Sequence, residues 1–348
     1  MKRSELSAAL KCIMLGVDKG GKAGLLGGDA VVFSSTMAQS YNGAVAISYP
    51  VAVGIDGAVK AAELAKILDK MAGEDVEIAR VDNGIMLKCG ATKLLMHVVD
   101  SGLGELLQEL QLEALDWVTL PEGFMQALDL AVLTAARNAA LGPLNGVFFG
   151  DGVMASSDNM RAVVVAAPVY QDGPSFILPV GAADVLHAIG GGLNSVALSG
   201  AWAHFLTDNG TVISARLLGG EFPLGRVREV IARAQAAPSR FVLPAALRGV
   251  LERVGVLAYS DDADRSYVVL KSEGGTLLVK GEQVAGAVEE ALPVTLEEFP
   301  DGVEFGVRPN FLLDVLESTT VFSYAENVVY FKGLTYDYVA ACIARARG

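Results

Sequence analysis

The sequence predicts an α+β protein built from three tandem copies of one strand-rich unit with two helices. Three observations carry this. Three apolar hairpins share a turn asparagine, at Asn83, Asn209 and Asn327, spaced 126 and 118 residues apart. An amphipathic helical stretch precedes each hairpin. A second helical stretch opens each unit, with further strands between the two. Self-similarity at a fixed period decides architecture before any single residue does.

The hairpins are VEIARVDNGIMLKCG from Val76, VALSGAWAHFLTDNGTVISARLL from Val196 and VFSYAENVVYFKG from Val321. Asn83-Gly84 and Asn209-Gly210 are strong hairpin signals, because a tight turn between twisted strands needs residues that tolerate positive φ. The helices before them read VKAAELAKILDKM (59–71), PVGAADVLHAIGG (179–191) and RPNFLLDVLES (308–318), each with apolar residues three and four apart. The opening helices are SELSAALKCIML (4–15), PEGFMQALDLAVLTAARNAA (121–140) and PAALRGVLERVGVLA (244–258). Strands fill 29–49, 144–168 and 266–294. Polar stretches at 104–117 and 228–240, both partly helical in pattern, mark the unit edges and give domains 1–113, 114–238 and 239–348.

Composition excludes several classes. With 348 residues, 52% hydrophobic and 19% charged, the chain has ample apolar surface to bury and is not a disordered linker. Cys12, Cys89 and Cys342 lie far apart and form no disulfide framework or metal knuckle. The basic amino terminus has its apolar run broken by Lys11 and followed by Asp18, a poor signal peptide, so a cytoplasmic protein without membrane association is expected. The net charge of −13 argues against a small basic nucleic-acid module, and the domains carry −3, −4 and −6. The six helical stretches are nearly neutral, with 8 basic and 9 acidic residues, so the acidity lies mostly outside them.

Catalytic constellations are thin. There is no GxSxG, P-loop or HExxH, and Gly190-Gly191-Gly192 follows a helix where a phosphate cradle would open one. His97, His187 and His204 lack metal-ligand spacing, and Ser260-Asp-Asp-Ala-Asp264 reads as a solvated turn. No metal, no cofactor and no enzymatic activity are expected.

Four segments carry a family resemblance: LNGVFFGDGVMASSDNMRAVVVAAP (144–168), SARLLGGEFPLGRV (214–227), AVEEALPV (287–294) and VEFGVRPNFLLDVLES (303–318). In order and spacing they resemble bacterial-type sliding clamps, the β processivity subunit of replicative DNA polymerase. The resemblance implies three clamp domains per chain and a head-to-tail homodimer closed into a ring around double-stranded DNA, loaded by a clamp loader and tethering the replicative polymerase. It places Lys11, Lys19, Lys22, Lys60, Lys66, Lys70, Arg137 and His187 toward the DNA. A partner-peptide cleft would use Leu144, Ser157, Met160, Arg161, Ala162, Pro223, Arg226, Val227, Cys342, Ile343 and Ala344. The dimer contact would use Leu103 and Leu106 on one side and Arg253, Val256 and Leu257 on the other.

The chain departs from the family pattern at several of these points. Gly142-Pro143 stands where aromatics precede the L-N-G strand, Met160 and Ala162 replace His and Leu, and the end reads YVAACIARARG in place of a Met-Pro-Met-Arg-Leu type tail. Such divergence fits a virus-encoded clamp with a groove tuned to its own polymerase. The competing expectation is a clamp-fold adaptor that does not encircle DNA.

Overall fold

The computed structural model describes residues 1–18, 27–103, 115–167, 173–237, 240–258, 266–325 and 327–343, with 107, 110, 112 and 169. The order helix, four strands, helix, three strands occurs three times. The first pass is α1 (Arg3–Ile13), β1 (Ala30–Ser34), β2 (Met37–Tyr41), β3 (Val45–Pro50), β4 (Gly57–Lys60), α2 (Ala61–Leu68), β5 (Val76–Val81), β6 (Gly84–Cys89) and β7 (Thr92–His97). After a short β8 (Val118–Thr119), the second is α3 (Phe124–Val132), β9 (Gly146–Gly150), β10 (Val153–Ser157), β11 (Arg161–Ala166), β12 (Phe176–Pro179), α4 (Val180–Ile189), β13 (Leu193–Ser199), β14 (Trp202–Thr207) and β15 (Val212–Arg216). Two added elements, α5 (Leu224–Gln235) and β16 (Arg240–Val242), lead into the third: α6 (Leu247–Ala258), β17 (Val268–Glu273), β18 (Thr276–Gln283), β19 (Gly286–Pro293), β20 (Glu304–Val307), α7 (Pro309–Leu313), β21 (Val321–Ala325), β22 (Val328–Lys332) and β23 (Tyr336–Ala341).

All three expected hairpins form, as β5–β6, β14–β15 and β21–β22. Their asparagines work differently. The Asn209 side-chain oxygen accepts from the Thr211 amide at 3.1 Å and from the Thr211 hydroxyl at 2.8 Å, an Asx-type closure of the turn. Asn327 instead takes the left-handed backbone at φ 67°, which asparagine tolerates better than most residues.

The chain divides into two compact units, residues 1–124 with 176–218, and 125–175 with 219–348. The division falls inside the second sequence repeat, because that repeat's two halves extend different sheets. In the first unit the strands run β4-β1-β2-β3-β15-β14-β13-β8, and β3 pairs with β15 from Val45↔Ala215 to Ser48↔Val212. Helix α1 covers β2 and β3 with Leu6, Ala9, Leu10 and Ile13, the i, i+3, i+4, i+7 stripe of an amphipathic helix. At its end the backbone comes so close that a Cβ on Gly16 would lie 2.6 Å from the Ser40 hydroxyl. A smaller sheet, β5-β6-β7, completes this unit.

In the second unit β9-β10-β11 continue through β23-β22-β21 to β16, and β11 meets β23 from Arg161↔Ala340 to Val165↔Tyr336. Helix α5 lies on β21–β23, and α6 packs on the separate sheet β19-β18-β17-β20. There Gly281 lets helix and strand touch, since a Cβ would sit 2.7 Å from the Val254 carbonyl oxygen. Phe241, Phe299, Phe305, Phe322 and Phe331 form the aromatic core.

Two helices are shorter than their patterns. The stretch 121–140 is helical only over Phe124–Val132. Beyond it Thr134 turns inward, its hydroxyl donating to the Ser156 carbonyl at 3.1 Å, and Asn138 caps a new 3-10 turn by accepting from the Ala140 amide. The stretch 308–318 keeps helix only over Pro309–Leu313 and continues as turns. Conversely, the boundary stretch around 228–240 is a full amphipathic helix with Leu224, Val227, Ile231 and Ala234 buried.

Candidate functional site

The second unit holds a cleft of about 470 Å³ where the turn between β10 and β11, strand β23 and the first turns of α5 converge. Leu144, Ser157, Met160, Arg161, Ala162, Pro223, Arg226 and Val227 all line it. These are eight of the eleven cleft residues expected from sequence. Asn159, Val230, Val328, Val339, Ala340 and Ala341 line it as well. Most of those come from β22 and β23, and the ladder that joins β23 to β11 spans nearly 180 residues of chain and leaves no local signal.

The other three expected residues lie elsewhere. Cys342 is buried, its amide donating to the Asn327 carbonyl at 2.6 Å, and burial pushes its thiol up to about 12. Ile343 is held by paired backbone hydrogen bonds to Gly306, at 2.7 and 2.8 Å. It walls a neighbouring cavity of about 230 Å³ with Met160, Tyr267 and Arg308. Ala344 lies outside the described residues.

Arg161 is the most constrained cleft residue. Its Nε donates to Asp158 Oδ2 at 3.0 Å, its Nη1 donates to Asp314, and its guanidinium stacks 4.7 Å from the Phe311 ring centre. Its side chain is 13% exposed, so the charge is spent on the protein itself. Asp158 also accepts from the amides of Met160 and Arg161, both at 2.9 Å, while the Ser157 hydroxyl donates to the Arg161 carbonyl. The turn is thereby fixed as a rigid wall. Burial raises Asp314 to about 6, with Arg161 opposing the rise.

The residues expected to face DNA fall on several elements. Lys11 is exposed on the last turn of α1 and borders a first-unit cavity of about 530 Å³ with Cys12, Tyr49, Ile189 and Asp208. Burial raises the Cys12 thiol to about 11, so it stays protonated at neutral pH. Lys60 is paired with Asp29. Lys66 on α2 and Lys70 just beyond it are exposed. His187 is exposed on the last turn of α4 and Arg137 in the loop after α3. Lys19 and Lys22 lie outside the described residues.

Of the expected dimer residues, Leu103 is 3% exposed and packs with Tyr41, Ala46, Leu107 and Leu110 in its own unit. Leu106 lies outside the described residues. Val256 is 72% exposed on α6, Leu257 half-buried, and Arg253 makes a two-pronged bond to Glu290 at 2.7 and 2.6 Å. Sequence reasoning missed the sheet edges. Among the described residues, strand β7 pairs on one side only and carries Lys93 and His97, while β19, also an edge, carries Glu289 and Glu290.

Among the described residues no cluster of three or more His, Cys, Asp or Glu could hold a metal, and no helix is long and apolar enough to cross a membrane. His204 is buried on β14 with Nδ1 2.8 Å from the Ser214 hydroxyl, and burial lowers it to about 4, so it is neutral at pH 7. The acidic stretch at 261–264 lies outside the described residues.

No family model and no curated protein matches the chain. Solved structures do. The DNA polymerase sliding clamp of Bacillus subtilis superposes with a TM-score of 0.83 at 14% identity, covering 99% of this chain and 98% of that one. The sliding clamp of Pseudomonas aeruginosa gives 0.78 at 17% identity, and the DNA polymerase III β subunit of Thermotoga maritima 0.79 at 16%, each covering 99% of both chains. The chain has the sliding-clamp fold over its whole length.

Proposed function

We propose that this clamp-fold chain is a DNA sliding clamp. Two copies, each of domains 1–113, 114–238 and 239–348, close head to tail around duplex DNA. The ring tethers the replicative polymerase through the cleft beside Arg161, which also receives the clamp loader. The observation that carries the reading is the full-length clamp fold combined with a formed, largely apolar cleft whose lining includes the motif positions of 144–168 and 214–227. No catalytic group is required, because holding a polymerase near its primer raises effective concentration by tethering alone. The work belongs in the cytoplasm, with the replicating DNA.

Weak phosphate contacts suit this task. A ring that must slide gains from sequence-blind cations and loses from base readout. Lys11, Lys66 and Lys70 are exposed and make no ion pair among the described residues, so they serve this role better than Lys60, which Asp29 neutralises. Ring closure is supported by two of the edge strands, β7 and β19. A β7 edge bearing Lys93 complements a β19 edge bearing Glu289, and unlike charge on two sheet edges favours strand addition between copies. Such a junction is head to tail, a heterologous contact that closes on itself.

Retention on nicked circular DNA, followed by linearisation, tests the mechanism. The expected result is slow release from circles and rapid loss after cutting, at constant salt. Release governed by salt alone and indifferent to circularity overturns it in favour of a clamp-fold adaptor. A second measurement addresses the ring. In solution the mass is expected to be twice the 36.3 kDa of one chain. Val256→Glu, at a position already 72% exposed, is expected to weaken the dimer by about ten-fold or more while leaving the fold intact, as loss of an apolar interface residue does. An unchanged dimer constant would remove α6 from the contact.

A further inference from the structure

Strand β20 leaves one side of its sheet open, and the chain beyond β23 begins to cover it. In the order β19-β18-β17-β20 it is an edge among the described residues, paired with β17 from Val268↔Val307 to Lys271↔Glu304. On its other side Gly306 and Ile343 exchange both backbone hydrogen bonds, at 2.8 and 2.7 Å, as an antiparallel bridge. A Cβ on Gly306 would lie 3.6 Å from the Ile343 Cβ, so the two positions share a face of the sheet. Hydrogen-bonded pairs recur at every second residue of an antiparallel ladder, so the backbone groups of Glu304 point to the same open side as those of Gly306. The Glu304 side chain makes no hydrogen bond or ion pair among the described residues, and its cross-strand neighbour Lys271 is bonded to Glu273 at 2.5 Å.

We infer that the segment after Ile343 is the strand that covers this edge, with Arg345 seated opposite Glu304. Residues 344–348 lie outside the described residues, and their sequence is ARARG. Two residues forward from Ile343 and two back from Gly306 bring Arg345 level with Glu304 in a hydrogen-bonded pair, where opposite charges attract across the strands. Period-two alternation puts Ala344 on the face of buried Phe305 and the arginines on the face of Glu304. Faces and charges therefore both match in the register that Ile343 already sets. A bare edge strand is a template for pairing with other chains, and a basic strap from the same molecule removes it. The strap also fastens the sheet of β23 to the sheet of β20.

Amide hydrogen exchange at Glu304, read at single-residue resolution on the full chain, tests this. The amide is expected to be protected in wild type. It is expected to exchange about five-fold faster in Arg345→Pro, which deletes the donor facing the Glu304 carbonyl, the scale of one net hydrogen bond. Ala346→Pro is expected to leave the rate unchanged, since an edge strand tolerates proline where the amide points away from the sheet. Arg345→Glu, which sets like charges opposite each other, is expected to speed exchange by about three-fold. An unprotected Glu304 amide in wild type, or protection that survives Arg345→Pro, overturns the inference. So does equal loss in both proline variants, which would assign the effect to chain stiffness, or loss in Ala346→Pro alone, which would mean a register shifted by one. An unchanged rate in Arg345→Glu overturns the charge pairing. Protection that falls on dilution gives the edge to a strand from a second copy and overturns the assignment to the chain's own segment.

Discussion

Arg161→Leu lowers stability by about 3–5 kcal/mol at pH 8, the cost of stripping the partner from buried carboxylates. The side chain is replaced by one of similar bulk, but Asp158 and Asp314, whose side chains are 21% and 17% exposed, lose their cation together. The loss shrinks in acid, and the sign follows from Asp314. Its folded pKa, about 6, stands above the ordinary 3.8, so the folded state binds the proton more tightly. The stability this group contributes is fully present below pH 3.8 and is lost as pH rises through about 6. The difference is on the order of 3 kcal/mol at about 1.4 kcal/mol per pH unit.

Urea denaturation at pH 4.5 and pH 8 checks this. The variant's deficit should be markedly smaller at the lower pH. Asp314→Asn should remove much of the wild-type decline between pH 4 and 6, and should be no less stable than wild type at pH 8. A deficit of equal size at both pH values would mean that Arg161 acts through packing on Phe311 and not through charge. The turn carrying Ser157, Asn159 and Met160 is built on this network, so peptide binding should fall with it.

Phe322→Ala is expected to cost about 3–5 kcal/mol, the scale of a buried aromatic ring truncated to a methyl group. Its ring is 2% exposed on β21, with centroids 5.1 Å from Phe241, 5.9 Å from Phe299, 6.0 Å from Phe305 and 5.6 Å from Phe331. Five rings that close-pack cannot collapse evenly onto a methyl group, so a cavity remains. Val321→Ala next to it, at 44% exposure, should change stability by less than about 0.5 kcal/mol. Equal effects at the two positions would contradict the burial assigned to β21. The functional consequence is local, since β22 beside β21 supplies Val328 to the cleft.

Some of this protein is legible residue by residue. The Asn-Gly turns, the period-two strands around them and the 6, 9, 10, 13 stripe of α1 act within a few positions, where turn chemistry and periodicity operate. Where the same logic overran, a distant contact intervened. The pattern of 121–140 continues past Val132, but Thr134 bonds a strand twenty-two residues away and ends the helix. Arg161 reads from sequence as a groove-facing cation, and its partner Asp314, 153 residues on, turns it into a wall. Arg226, exposed at the start of α5, has no such partner among the described residues.

The sequence by itself determined the repeat, the hairpins, the helical faces and, through the order of its motifs, eight residues of the cleft. Only the tertiary structure decided that the halves of the second repeat extend different sheets, that β23 walls the cleft against β11, and which cation is spent or free. The physical reason is range. Turn and helix preferences are settled by neighbours along the chain, whereas strand pairing and charge compensation depend on which buried faces meet, and no local pattern encodes that meeting.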